Sequence, residues 1–137
     1  MKEASWRDCV EDGAARRVSP DAERSRSLIE TAQERLEVIQ GLDRKNCNFV
    51  FEDYYTSLLE ILQAMVIAKG FRILNHLCLG YYLRDALKRD DLFRVFDDLR
   101  YKRNSLTYYG RRMDFETAKN AIEKSKVLIR EIQDLMV

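Results

Sequence analysis

Breaking residues are scarce in this chain: it has one proline, Pro20, and five glycines, and the stretches between them are rich in Leu, Ala, Glu, Arg and Lys. That composition favours helices, and no run shows the apolar/polar alternation of a strand. An excess of either charge is also missing. Lys and Arg number 24 against 23 for Asp and Glu, so the whole molecule carries no bias toward nucleic acid or anionic membrane, and any such bias must be local. No apolar run approaches the roughly 20 residues of a membrane-spanning helix. The longest candidate, Leu58 to Ala68, is interrupted by Glu60 and Gln63. The opening MKEASWRDCVEDG has acids where a signal peptide would have its apolar segment. Cys9, Cys47 and Cys78 are odd in number, far apart and in no C-x-x-C spacing. We therefore expect three free thiols in a reducing cytoplasm, with neither a disulfide framework nor a zinc site.

What is present is apolar periodicity. With 46% apolar residues over 137 positions, one domain can build a core by itself. Ser19-Pro20-Asp21 predicts a helix start with Ser19 as cap. Leu28, Ala32, Leu36 and Ile39 then recur at helical steps up to a stop at Gly41. A second helix opens near Asn48, carries Phe51, Tyr55, Leu58, Leu62, Met65 and Val66 on one broad face, and stops at Gly70. A shorter helix spans Asn75 to Leu87. A fourth is capped by Asp90 or Asp91 and runs through Phe93, Phe96, Leu99 and Leu106 to Gly110; a last one is capped by Asp114. Ala4 to Asp12 adds a short helix anchored by Trp6. The expectation is a single all-α domain over residues 1–137, with a short helix and turn over 1–18 and an antiparallel up-and-down bundle of four to five helices over 19–137.

The fourth helix interrupts its own stripe. Arg103 falls one turn after Phe96 and Leu99 and three residues before Leu106, where an apolar side chain belongs. Asn104 and Tyr108 are four apart, and Arg100 lies three before Arg103, so a polar strip forms on contiguous turns. From Arg100 to Arg112 the basic residues Arg100, Lys102, Arg103, Arg111 and Arg112 alternate with Tyr101, Tyr108 and Tyr109, and no acid intervenes. Arginine pairs bidentately with phosphate and tyrosine stacks on bases, the composition of a surface for single-stranded RNA or a nucleotide. The competing structural reading satisfies Arg103 with Asp97 or Asp98 of the preceding turn and uses the tyrosines to close the bundle end. On the wide-faced helix, Glu52, Asp53 and Tyr54 are the candidates to approach Arg103, and the same acids suit a first helical turn. Phe49, Phe51, Tyr54, Tyr55 and Met65 are read as core by default, with a ligand pocket or dimer face as the alternative, and one of Tyr81 and Tyr82 is expected to be buried and the other exposed. The single histidine, His76, is read first as a residue satisfied within the bundle, with a catalytic role from its own separate helix as the alternative.

The wide-faced helix ending AKGF (Ala68 to Phe71), the segment NHLCLGYYLRDAL (Asn75 to Leu87) and FDDLRYKRN (Phe96 to Asn104) follow one another in a recognisable order. So do the opening WRDCVEDG and the later ETAQERLE. Together they resemble the HEPN superfamily, the higher eukaryotes and prokaryotes nucleotide-binding domain, as a divergent prokaryotic member. The resemblance implies a helical bundle that homodimerises, and a motif of arginine, a polar residue, three others and histidine facing a cleft between protomers. In ribonuclease members that motif cuts RNA without metal. Arg103 and Asn104 match its start, and Tyr108 stands at the histidine position. Tyrosine, with a reference pKa of about 10, is a poor general base near neutrality. The expectation is therefore an RNA- or nucleotide-binding domain with little or no nuclease activity and no cofactor. Arg103, Asn104 and Tyr108 sit at its centre, with Arg100, Lys102, Tyr109, Arg111 and Arg112 in support. Two alternatives stand beside it: a metal-independent ribonuclease toxin paired with a small nucleotidyltransferase, and a structural dimerisation module.

Overall fold

The computed structural model describes residues 3–137. It is mostly helical: α1 (Trp6–Glu11), α2 (Ala22–Glu37), α3 (Cys47–Ala68), α4 (His76–Tyr81), which continues into a π-helical turn over Tyr82–Ala86, α5 (Asp90–Tyr109) and α6 (Phe115–Leu135). Most starts are fixed by side-chain caps. Ser5, Asp21, Asn75 and Asp114 each accept a hydrogen bond from the backbone N–H three residues on, satisfying a donor the helix itself leaves open.

The central element is α3, which packs against α2, α5 and α6. Ser25 Oγ donates to the Ala64 carbonyl and Ser57 Oγ to that of Ala32, so α2 and α3 run antiparallel. Residues at the start of α5 and the end of α6 also meet, where Arg89 lies 4.0 Å from Glu131. A short turn after Gly110 separates these two helices, so they too run in opposite directions. Phe51, Tyr55, Leu58, Leu62, Phe96, Leu99, Ile122 and Ile132 have no appreciable exposure and form the core. Each such side chain contributes about 1.5–3 kcal/mol by leaving water. No helix among the described residues is long and apolar enough to cross a membrane.

Several expectations are corrected. Strands do occur: β1 (Ala15–Arg17) pairs antiparallel with β2 (Phe71–Ile73), Ala15 opposite Ile73 and Arg16 opposite Arg72. Such short strands cannot show an alternating pattern, and the pairing is long-range. The chain entering α2 is tied to the end of α3, with Val18 N–H on the Gly70 carbonyl and Asp21 N–H on that of Ile67. Ser19 therefore lies outside the helix, and Asp21 caps it. Gly70 is held at φ +87°, and a Cβ there would lie 2.8 Å from the Val18 carbonyl oxygen. Helix α2 ends at Glu37, before Gly41, because Asn46 bonds to the Gly41 carbonyl and Asp43 gathers the N–H groups of Lys45 and Asn46 into a loop. The start expected near Asn48 holds, since α3 opens at Cys47, and both ends of the Asn48 amide bond to the Met113 backbone and clamp α3 to the turn before α6. Neither Asp90 nor Asp91 caps α5, since Asp90 pairs with Arg94 and Asp91 with Arg89. Tyr81 and Tyr82 are both buried, Tyr81 against Phe93 and Tyr82 against Trp6 and Phe71. Phe49, read as core, is exposed.

The cysteines depart furthest from expectation. Cys9 and Cys78 are joined by a disulfide that ties α1 to α4, and only Cys47 is a free thiol, buried in the core. Spacing alone could not show this pair, because 69 residues separate two cysteines that the fold brings together. Such bonds persist in oxidising settings, so the argument for a cytoplasmic location from free thiols loses its basis. The same N-terminal segment is held by Trp6 N–H on Asp85 and by Arg84 on the Ala4 carbonyl.

Candidate functional site

The interrupted stripe of α5 opens into a cavity. Its first turns bury Leu92, Phe96 and Leu99, and beyond Leu99 no residue of the helix is buried. Arg103 there lines a hollow of about 580 Å³ together with Arg100, Asn104 and Tyr108 from the same helix. The opposite wall is Leu74, Asn75, His76 and Leu77, with Glu3 at one edge. This volume falls within the range of ligand sites.

The two arginines of the cavity are in different states. Arg100 gives two hydrogen bonds to Asp97 Oδ1, at 3.1 and 2.9 Å. Asp98 pairs with Lys102. Both aspartates that could have satisfied Arg103 are therefore occupied. Arg103 forms no ion pair or side-chain hydrogen bond among the described residues; its guanidinium lies 5.8 Å from the centre of the Tyr55 ring, which stacks on Phe96. A half-buried guanidinium resting on an aromatic face keeps its donors for an acceptor from outside.

His76 is the first residue of α4, placed by the Asn75 cap. Its Nδ1 is 3.3 Å from the Tyr55 hydroxyl. Burial, and then the positive charges of Arg103 and Arg100, hold His76 below the usual histidine range, so it is neutral near pH 7. Burial pushes the Tyr55 hydroxyl up, over the opposing pull of Arg100 and Arg103, so it keeps its proton. When Nδ1–H donates to the Tyr55 oxygen, Nε2 of His76 is a base; when Tyr55 donates to Nδ1, Nε2 carries the hydrogen and is a donor. In either tautomer the site combines a cation with no ion-pair partner among the described residues, a neutral imidazole and an amide.

Of the residues singled out from sequence, Arg100, Arg103, Asn104 and Tyr108 come together, with Tyr108 69% exposed at the lip. Lys102, Tyr109, Arg111 and Arg112 do not line the cavity, and Arg111 lies over the Tyr109 ring at 5.6 Å. Glu52, Asp53 and Tyr54 make no hydrogen bond or ion pair with Arg103 among the described residues; Tyr54 is beside Lys126, and the contact belongs to Tyr55, one position further on. Tyr55, by its place on the apolar stripe, read as core first and as a pocket residue only second. His76 belongs to the cavity, and the signal available for it was its place directly after a capping asparagine in a chain with no other histidine. Comparison with models of known families, with curated proteins and with solved structures gave no match to this chain.

Proposed function

We propose that the chain is a HEPN-like helical domain that binds RNA or a nucleotide, with a phosphate group seated on Arg103. The observation that carries this reading is an arginine half-buried in a ligand-sized cavity while both nearby aspartates are committed to other cations. A phosphate dianion satisfies a free guanidinium bidentately. Arg100 adds charge, Asn104 offers an amide to a sugar or base, and Tyr108 at the lip offers a face for stacking. The reading includes a homodimer in the cell, with protomers meeting near this end of α5. The test is binding of uridine monophosphate and of a labelled oligouridylate to the purified chain. Arg103→Ala should weaken both by about tenfold or more, the worth of one charge-assisted hydrogen-bonded contact. Undiminished binding by the variant would remove the site; no binding by the unaltered chain at low salt would remove the function.

One observation favours a second reading, a metal-independent ribonuclease with a nucleotidyltransferase partner. His76, from a different helix, stands in the cavity that Tyr108 serves poorly as a base. It could accept the 2′-hydroxyl proton as the 2′-oxygen bonds to phosphorus and the bond to the 5′-oxygen breaks, with water returning a proton to the leaving oxygen. Cleavage of oligouridylate in chelator, abolished by His76→Ala, would establish it. Intact RNA after prolonged incubation leaves the binding reading alone.

A further inference from the structure

A second cationic surface leads away from the cavity along the β-ribbon, and local sequence patterns offer no hint of it. Arg16 and Arg72 are direct cross-strand partners, so both side chains stand on the same face of the two-stranded sheet. Their strand neighbours Ala15 and Ile73 are buried, which turns the arginine face to solvent. Arg17 follows, over the Phe71 ring at 5.1 Å. None of these three arginines forms an ion pair with a described residue, and the acids nearest to β1 in sequence are engaged: Glu11 with Arg7, and Asp12 on the Ala14 N–H.

Like charges placed directly opposite in a ladder destabilise it. Two facing arginines without a counter-charge therefore cost the fold something that an external anion would offset. On α5, by contrast, Arg94, Arg100 and Lys102 each have an acid one turn back. What marks the ribbon is that its two arginines face each other directly across the ladder.

The ribbon and the cavity are connected. Leu74 N–H continues the ladder onto the Ala14 carbonyl, and Leu74 is already a wall of the cavity. Arg72 is two residues earlier, roughly 7 Å of extended chain away. Leu74 is also exposed, an apolar side chain lying between two groups of arginines. We infer that the ribbon face of Arg16 and Arg72 continues the cavity as a track for a single-stranded polynucleotide, whose phosphates pass from Arg103 to the ribbon. The inference rests on the phosphate reading of the cavity and narrows its ligand from a nucleotide to a strand. A positively charged path beside a site that takes a phosphate and a base is the arrangement single-strand binding uses.

The test compares uridine monophosphate, which reaches only the cavity, with a uridylate dodecamer, which reaches both. Ligand binding is measured by anisotropy and calorimetry over a salt series. Arg16→Gln with Arg72→Gln should weaken the dodecamer about tenfold, leave the monophosphate unchanged, and lower the salt slope by about 1.4, at about 0.7 for each single-strand phosphate no longer neutralised. The melting temperature of the double variant should stay close to that of the unaltered chain, because the repulsive pair is removed together with the exposed hydrogen bond from Arg16 Nε to the Gly13 carbonyl. Arg16→Lys with Arg72→Lys should keep most of the salt slope. Unchanged dodecamer affinity in the glutamine variant, or displacement of the dodecamer by polyglutamate of matched charge, would overturn the track and leave the cavity reading standing. Loss of monophosphate binding in that variant would also overturn it, as a structural effect. Dodecamer binding that needs the ribbon but survives Arg103→Ala would overturn the cavity reading instead, and binding of neither ligand would overturn both.

Discussion

The two halves of α5 differ in how they treat charge. Through Lys102 its charges are neutralised within a turn, Asp90 with Arg94, Asp97 with Arg100 and Asp98 with Lys102, while Leu92, Phe96 and Leu99 are buried beneath them. From Arg103 onward there is no acid and no buried side chain, and Tyr108 and Tyr109 stand largely in solvent. The first half is what amphipathicity builds when only folding has to be satisfied. In the second half an arginine replaces an apolar residue and its counter-charges are given to its neighbours. Exposed pairs on a helix contribute little to stability, so the informative feature is the cation that has none.

The contrast is most open to disruption at the joint between the halves. Phe96 is fully buried and its ring supports Tyr55, on whose face Arg103 rests. Phe96→Ala should destabilise the chain by about 3–5 kcal/mol, measured by denaturant unfolding, as expected for an aromatic removed from a packed core. It should also weaken monophosphate binding, since the Tyr55 platform loses its backing. A cost below about 1 kcal/mol would mean that the first half is not the scaffold it is taken to be. Arg103→Ala should do the reverse: a change in melting temperature too small to rank it with core residues, and the loss of phosphate binding described above.

How much of this was legible in the sequence follows the same division. The helices, the αL stop at Gly110 and the Asp114 cap were readable because periodicity and capping chemistry are local. Arg103 was readable because it breaks a period. The disulfide and the β-ribbon were not, because each depends on residues the chain brings together over long separations, and for the same reason the sequence could offer a site place for Tyr55 and His76 only as the lesser of two readings. The helix start near Asn48 was readable, and only the fold shows that the Asn48 amide is spent on Met113. Tyr55 is the most instructive case: the rule that assigns an apolar stripe to the core was right about its burial, and for that reason ranked a pocket second and said nothing about the cation on its face.

His76 sharpens the contrast through pH. Burial and the two arginines lower its pKa in the folded chain, whereas in the unfolded chain it takes a proton near its ordinary value of about 6.5. The unfolded state therefore binds more protons in that window, so the contribution of neutral His76 to stability is present above about pH 6.5 and is lost as pH falls through its folded pKa. The unfolding midpoint should decline on acidification, and the decline should be shallower in His76→Gln. A phosphate on Arg103 reverses the local sign, because imidazolium beside a dianion is favoured. Monophosphate affinity should rise as pH falls through the same window in the unaltered chain, and the rise should vanish in His76→Gln. Equal slopes in the two proteins would separate His76 electrically from the cavity.

The smallest expected effect tests whether the boundary between the halves is one of charge. Asp97→Asn removes the partner of Arg100 without touching the cavity wall, and so extends the uncompensated half by one turn. Both side chains of this pair are partly in solvent, 25% exposed for Arg100 and 43% for Asp97, so screening limits its worth to about 0.2–1 kcal/mol. Monophosphate affinity should therefore rise, by no more than about fivefold. Asp98→Asn makes the same change of charge one residue along, but the lysine it frees is outside the cavity, and affinity should hardly move. A rise in both variants would mean that only net charge matters. A fall in Asp97→Asn alone would mean that Asp97 holds Arg100 in the pose that meets phosphate, and the paired half would then be part of the site.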